Sequence, residues 1–115
     1  MFGLVVRFNL MGGSGPAFDK LTDETVAEIR TAEPGTLVYA CHEVEGDLEA
    51  RVFYELYQDQ AAFDAHEQQP HVRRFLAERE QYLAGSPRVE FLSLLGGAGV
   101  PPVMPRRAER GNDTA

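Results

Sequence analysis

The chain has 115 residues, of which 43% are hydrophobic and 25% charged, and these proportions are typical of one compact globular domain. Its net charge of -7 disfavours binding to the phosphates of nucleic acids or to anionic membrane surfaces. No apolar run is long enough to cross a bilayer, and no basic region precedes the apolar first ten residues as it would in a signal peptide. Cys41 is the only cysteine, so no internal disulfide can form. We therefore expect a cytoplasmic protein that binds neither nucleic acid nor membrane.

The first segment predicts a β-strand followed by a helix. Residues 2–10 alternate so that the even-numbered positions are apolar, while Arg7 and Asn9 share the opposite face. Glycine and proline between residues 12 and 16 end the strand. Apolar residues then recur at helical spacing, which predicts a helix over 16–32.

The next segment predicts an antiparallel hairpin. Glu33-Pro34-Gly35 is a turn sequence, since proline fixes φ and glycine tolerates the positive φ that often follows. Residues 36–44 and 50–57 are rich in valine, tyrosine and phenylalanine, as strands are. They flank a polar tip at residues 45–49.

The last part of the predicted domain contains two short helices and a fourth strand. Asp59 can cap a helix over residues 60–66, and Pro70 forces a break before a second helical run. Gly85-Ser86-Pro87 ends that run, and residues 88–95 alternate as a strand.

The predicted order is β-α-β-β-α-β, a ferredoxin-like α+β fold with an antiparallel sheet. Both helical layers then cover one face of the sheet and leave the other bare. A chain this short has little core of its own, so we expect a homodimer that covers the bare face. The domain is expected to span residues 1–95, and residues 96–115 to form an extended tail in which Val100 to Pro105 could dock on a partner as an exchanged arm.

The third strand has two different faces. Its residues Val52, Tyr54 and Leu56 are apolar, which favours the helix side, so Arg51 and Glu55 are expected on the bare side. There a carboxylate could orient a histidine and an arginine could hold an anion. An ion pair between Arg51 and Glu55 in the dimer interior is an equally good interpretation. The same question applies to Asn9 and Arg7, because they share the polar face of the first strand.

Two histidines are the candidates for chemistry. His66 and His71 are five residues apart, whereas a helical metal pair needs a spacing of four, so we predict no metal site. An imidazole titrates near neutrality and suits acid-base catalysis in a pocket. His66 follows Phe63 by three residues and is expected on a pocket wall; His71 starts the next helix and could only cap it.

These residues resemble a known family. Glu33-Pro34-Gly35-Thr36-Leu37 before the Tyr39 strand, the run from Phe53 to His66 and the pair Pro70-His71 are similar to the antibiotic biosynthesis monooxygenase domain, with its small quinol monooxygenases. The likeness covers residues 1–95 and is most specific from Tyr54 to His71. It implies a dimeric α/β barrel that uses no flavin, haem or metal.

The resemblance also implies a reaction and its residues. The substrates would be a small aromatic quinol or polyphenol and dioxygen, with His66 as general base and Asn9, Arg51, Glu55 and His71 as anchors. Haem-degrading relatives carry a tryptophan where His66 stands, and this chain has none. An isomerase or tautomerase of a small hydroxyketone and a non-catalytic ligand-binding barrel remain as alternatives.

Overall fold

The structure is a computed structural model and describes residues 1–99. The expected docking arm, Val100 to Pro105, and the rest of the tail lie outside the described residues. Within residues 1–99, no helix has the length and apolar character needed to cross a membrane.

Residues 1–99 form four strands and three helices in the predicted order. In sequence they are β1 (Phe2–Asn9), α1 (Gly15–Ala32), β2 (Thr36–Val44), β3 (Asp47–Tyr57), α2 (Gln60–Gln68), α3 (Pro70–Glu78) and β4 (Arg88–Ser93), with a 3₁₀ turn at Arg79–Tyr82 after α3. The predicted strand over residues 88–95 is thus two residues shorter at its end.

The strands form one antiparallel sheet in the order β2-β3-β1-β4. The central strands are β1 and β3, and β1 pairs with β3 along all of its length, from Phe2 opposite Tyr57 to Asn9 opposite Ala50. Helices cover one face, as the ferredoxin-like α+β arrangement requires. The predicted fold class is therefore confirmed.

The hairpin between β2 and β3 is tighter than predicted. Val44 already pairs with Asp47, so the tip is Glu45-Gly46 rather than residues 45–49. Gly46 has φ +83°, a conformation that is strained for residues with a Cβ and that glycine adopts freely. Asp47 and Glu49 belong to β3, but they are polar, and the prediction therefore assigned them to the loop.

Local sequence signals account for the break between α2 and α3. The Asp59 carboxylate accepts a hydrogen bond from the Ala62 backbone N–H at 2.8 Å and so caps α2. Pro70 is the first residue of α3, where it has no helical hydrogen bond to lose. Gln69 between them is extended, and the two helices therefore meet at an angle with His66 and His71 on either side of the break.

The core lies between the sheet and the helices. Its centre is aromatic: Phe8, Phe18, Phe53 and Phe75 are at most 2% exposed, and their ring centroids lie 4.8 to 6.4 Å apart. Tilted and edge-on contacts of this kind add to the stabilisation that burial itself provides.

The expected orientation of β3 is wrong. Arg51 and Glu55 face the helices together with buried Phe53, and Val52, Tyr54 and Leu56 face the open side. The physical reason is that the open side of the sheet is also apolar, so apolar residues at alternate positions of β3 do not show which face packs against the helices. The two charged residues are buried because each finds a partner across the fold, as described below.

Candidate active site

A cavity of about 140 Å³ lies between the sheet and helices α2 and α3. Most of its wall is apolar, but the wall also contains His66 and four other ionisable or polar side chains. The lining residues are Leu4, Val6, Phe8, Tyr39, Glu55, Phe63, His66, Glu67, Val72, Phe75, Leu76, Arg79, Val89 and Phe91. Phe91 is 63% exposed and marks the side on which the cavity opens to solvent.

His66 is the buried histidine of this cavity. It lies in the last turn of α2 with 4% of its side chain exposed, packed against the rings of Tyr57, Tyr39 and Phe63. Its Nδ1 atom is 2.6 Å from Oε1 of Glu33. A carboxylate only accepts hydrogen bonds, so Nδ1 donates in this pair, and in the neutral imidazole the lone pair is then on Nε2. Nε2 lies on the side of Glu55, 4.0 Å from its Oε1.

Glu33 connects the two histidines. Its other oxygen, Oε2, accepts from Nε2 of His71, and Thr36 donates its hydroxyl hydrogen to Oε1 at 2.7 Å. The Glu33 side chain is 4% exposed and that of His71 is 11% exposed. His71 therefore does more than begin α3: it lies at the outer end of a hydrogen-bonded chain that runs through Glu33 to His66.

Glu55 is the second carboxyl group of the site. It is 5% exposed and accepts a hydrogen bond from the Tyr57 hydroxyl at 2.5 Å. Burial raises the pKa of Glu55 to about 7, although the Tyr57 hydrogen bond opposes this shift. A carboxyl with this pKa can give or take a proton near neutral pH. Burial and the nearby Glu55 carboxylate also raise the pKa of Tyr57, so its hydroxyl stays protonated and remains a donor.

Arg79 supplies a positive charge to the same cavity. Its guanidinium lies over the rings of Phe8 and Phe75, with Cζ 5.3 and 5.7 Å from their centroids. Burial lowers the pKa of Arg79, against the opposing influence of Glu80.

The structure brings together three of the five predicted site residues. His66 and Glu55 line the cavity, and His71 is connected to His66 through Glu33, whereas Asn9 and Arg51 lie elsewhere. Asn9 is exposed at the end of β1 on the open side of the sheet, where it accepts from Nε of Arg7 at 3.4 Å.

Arg51 faces a groove between α1 and β2 and is held by Asp19. Its Nε and Nη2 donate to the two carboxylate oxygens at 2.8 and 2.9 Å, and Nη1 donates to backbone carbonyls of Leu48 and Ala50. The alternative of an ion pair between Arg51 and Glu55 is therefore wrong. Four of the five guanidinium N–H donors of Arg51 are thus used within the fold.

Glu33 and Arg79 are the residues that sequence reasoning missed. Glu33 was interpreted as part of a turn, although it belongs to the motif that carried the family resemblance. Arg79 follows Phe75 by four residues, and this helical spacing alone indicated that both face the same side. Within the described residues, no three His, Cys, Asp or Glu side chains are arranged to hold a metal ion.

Comparison with known proteins identifies the family. The family model named antibiotic biosynthesis monooxygenase matches residues 1–78. No curated protein gives a significant match. Among solved structures, the protein Rv0793 from Mycobacterium tuberculosis is 26% identical, with a TM-score of 0.78 over 85% of this chain and 98% of that one.

Two further structures show the same fold. One, from Caulobacter crescentus and described as an antibiotic biosynthesis monooxygenase, is 23% identical and has a TM-score of 0.79 over 83% of this chain and 90% of that one. Another with the same description, from Nitrosomonas europaea, is 21% identical and has a TM-score of 0.77 over 84% of this chain and all of that one. From the family match and the fold together, the chain belongs to the antibiotic biosynthesis monooxygenase family.

Proposed function

We propose that the protein is a cofactor-independent monooxygenase that oxidises a quinol or polyphenolic aromatic with dioxygen. The observation that carries the proposal is the state of His66: its Nδ1 is bound to buried Glu33, and its Nε2 lone pair is directed toward the Glu55 side of an apolar cavity. An imidazole held in this tautomer is a general base. The family to which the chain belongs supports the oxygenase class.

The proposed reaction needs no electrons beyond those of the substrate. Nε2 of His66 takes a proton from a substrate hydroxyl or enol, and the resulting anion is electron-rich enough to reduce dioxygen directly. A peroxide forms at a ring carbon that bears hydrogen, and loss of water leaves a carbonyl at that carbon. One oxygen atom enters the product, and the other leaves as water with two hydrogens of the substrate, so the reaction balances.

The cavity wall would assist in two ways. Apolar residues such as Leu4, Val6 and Val72 exclude water and so protect the substrate anion from protonation. Glu55, with its pKa raised to about 7 by burial, can return a proton to the departing hydroxide. His71 and Glu33 would keep His66 in the reactive tautomer.

A homodimer in the cytoplasm completes the proposal. The open side of the sheet carries half-buried Val5, Val52 and Tyr54, and a second copy packed on it would close a barrel. Light scattering is expected to give about twice the 12.8 kDa mass of the chain. A monodisperse monomer at micromolar concentration would contradict this part of the proposal.

Oxygen uptake tests the reaction. We expect metal-stripped protein to consume oxygen with members of a panel of hydroquinones and polyphenols, and His66→Ala to lower the rate by at least about 100-fold, because a general base contributes this much. His42→Ala is the matched control, since it removes an exposed imidazole outside the cavity. Equal rates for wild type and His66→Ala would exclude His66 as the base.

An isomerase or tautomerase of a small hydroxyketone is the second candidate. It is favoured by the presence of two proton-transfer groups, His66 and Glu55, on one small cavity, because moving hydrogen between two carbons needs a base and an acid. Such an enzyme would exchange a substrate C–H with deuterated water while dissolved oxygen stayed constant. Loss of oxygen in step with substrate would exclude it.

A further inference from the structure

Arg79 is a guanidinium without an anionic partner inside the cavity. It lies in the 3₁₀ turn after α3, and its Nε atom is buried and makes no hydrogen bond. Among residues 1–99, no carboxylate oxygen lies within 4.0 Å of its nitrogen atoms. Its contacts are instead with the faces of Phe8 and Phe75.

The contrast with Arg51 shows that the fold can satisfy a buried arginine. Arg51 donates to both oxygens of Asp19 and to two backbone carbonyls. Arg79 has no equivalent, although the chain carries eighteen acidic residues against eleven basic ones. Removing a guanidinium from water without a partner is unfavourable, as the lowered pKa of Arg79 through burial also indicates.

The remaining charges of the cavity make this position suitable for an anion. Glu55 has a pKa raised to about 7 by burial and so is largely neutral in slightly acidic solution. Glu67 also lines the cavity, but none of its oxygens lies within 4.0 Å of an Arg79 nitrogen. Tyr39 and Tyr57 are neutral phenols, since burial raises the pKa of both. Among the described residues that line the cavity, Arg79 is the one side chain with a permanent positive charge.

The cavity volume limits the size of the ligand. A protein cavity of about 150 Å³ holds one benzene molecule, and the cavity here measures about 140 Å³. One aromatic ring therefore fits inside without movement of the walls, whereas a system of three fused rings would extend out of the opening beside Phe91. Phe63, Phe75 and Phe91 provide the flat apolar surfaces on which a ring would pack.

We infer that Arg79 binds an anionic oxygen of the substrate, and that the substrate is a single-ring aromatic that carries this oxygen. The oxygen belongs either to a carboxylate fixed on the ring or to a phenolate formed in the site. A guanidinium binds either through charge-assisted hydrogen bonds. The inference rests on the proposed function only in placing the substrate in this cavity.

Anaerobic binding measurements test the carboxylate. By NMR titration at neutral pH, wild type is expected to bind 4-hydroxybenzoate at least about tenfold more tightly than 4-hydroxybenzamide, which has nearly the same shape without the charge. Arg79→Gln is expected to remove this preference, and Arg79→Lys to keep part of it. Arg73→Gln, which changes an exposed arginine of α3, is the matched control and is expected to bind as wild type does.

Bound 4-nitrophenol tests the phenolate, because its absorbance changes on ionisation. Wild type is expected to lower the pKa of the bound phenol by about one pH unit relative to Arg79→Gln. A benzoate preference that is lost in Arg79→Gln but kept in Arg73→Gln supports the inference and identifies a carboxylate as the source of the charge. A lowered pKa of the bound phenol in wild type and Arg73→Gln but not in Arg79→Gln supports it and identifies a phenolate. If folded Arg79→Gln, checked by circular dichroism, behaves as wild type in both measurements, the inference is overturned.

These measurements separate the inference from the proposed oxygenase. Neither needs turnover or dioxygen, so a protein that binds the anion but consumes no oxygen would support the role of Arg79 and contradict the oxygenase. Undiminished oxygen uptake by Arg79→Gln with unchanged KM would overturn the role of Arg79 and leave the oxygenase standing.

Discussion

Replacing Glu55 with glutamine should change how the stability of the protein depends on pH. Burial raises the pKa of Glu55 from 4.5 to about 7 in the folded protein, whereas the unfolded chain exposes this carboxyl to water. Below about pH 4.5 both states hold the proton. Between pH 4.5 and 7 the unfolded state releases it and the folded state keeps it, so the free energy of unfolding falls as pH rises.

The size of the effect follows from the two pKa values. A gap of 2.5 pH units between 4.5 and 7 is worth about 3 kcal/mol, of which about 2 to 3 kcal/mol is lost between pH 5 and pH 8. Glutamine has nearly the same shape and can accept from the Tyr57 hydroxyl, but it does not titrate. All other titrating groups are common to both proteins and cancel in the comparison.

Urea unfolding at several pH values between 5 and 8, at one protein concentration, measures this difference. Relative to wild type, Glu55→Gln is expected to gain about 2 to 3 kcal/mol across that range. Glu67→Gln, a change at another carboxyl on the cavity, is the control variant. Parallel pH profiles for wild type and Glu55→Gln would refute the raised pKa and, with it, the role of Glu55 as a proton donor near neutral pH.

Two further predictions concern the neighbourhood of His66. Glu33→Gln is expected to lower kcat by about 100-fold and to shift the pH profile of kcat, because the amide no longer fixes the His66 tautomer. The control variant Glu28→Gln changes an exposed carboxyl and should leave the pH profile of kcat as it is. An unshifted profile for Glu33→Gln would mean that Glu33 has only a structural role. Gly35→Ala is expected to cost about 1 to 3 kcal/mol of unfolding free energy, since the new Cβ would lie 2.7 Å from Cβ of Ala62 in α2. Gly85→Ala, where the new Cβ meets nothing within 4 Å, is its control in the same urea assay, and equal losses in the two would contradict the close approach.

Local signals in the sequence were sufficient for the elements of the fold. Alternation in Phe2–Asn9 placed the even-numbered residues in the core, and the cap at Asp59 and the break at Pro70 divided α2 from α3 as predicted. The hairpin tip was misplaced because Asp47 and Glu49 are polar, and in an edge hairpin polar strand residues cannot be told from loop residues by composition.

The orientation of β3 could not be predicted from its own residues. Both of its faces carry apolar side chains, and the burial of Arg51 and Glu55 depends on contacts with other parts of the chain. Asp19, the partner of Arg51, lies 32 residues away in α1. A pattern within eleven residues contains no information about such a partner, so a charged residue was assigned to the exposed side by default.

The same limit applies to the candidate site. His66 could be placed on a pocket wall because Phe63, one helical turn earlier, had to face the core. Glu33 could not be assigned to the site, since a glutamate before Pro34 is typical of an exposed turn. Its side chain is buried only because α2 and α3 pack against it in the folded protein. Arg79 was overlooked because arginines at the end of a helix usually extend into solvent.

The sharing of Glu33 between two helices has a consequence for how the site forms. The carboxylate is 33 residues from His66 and 38 from His71, and the chain between Glu33 and His71 contains the whole β2–β3 hairpin and α2. No fragment shorter than this can assemble the site, because both imidazoles acquire their partner only when the second half of the chain docks on the first. Local opening of α2 would therefore separate His66 from Glu33 while the sheet stayed intact, and amide hydrogen exchange in α2 would report how often the candidate site is open.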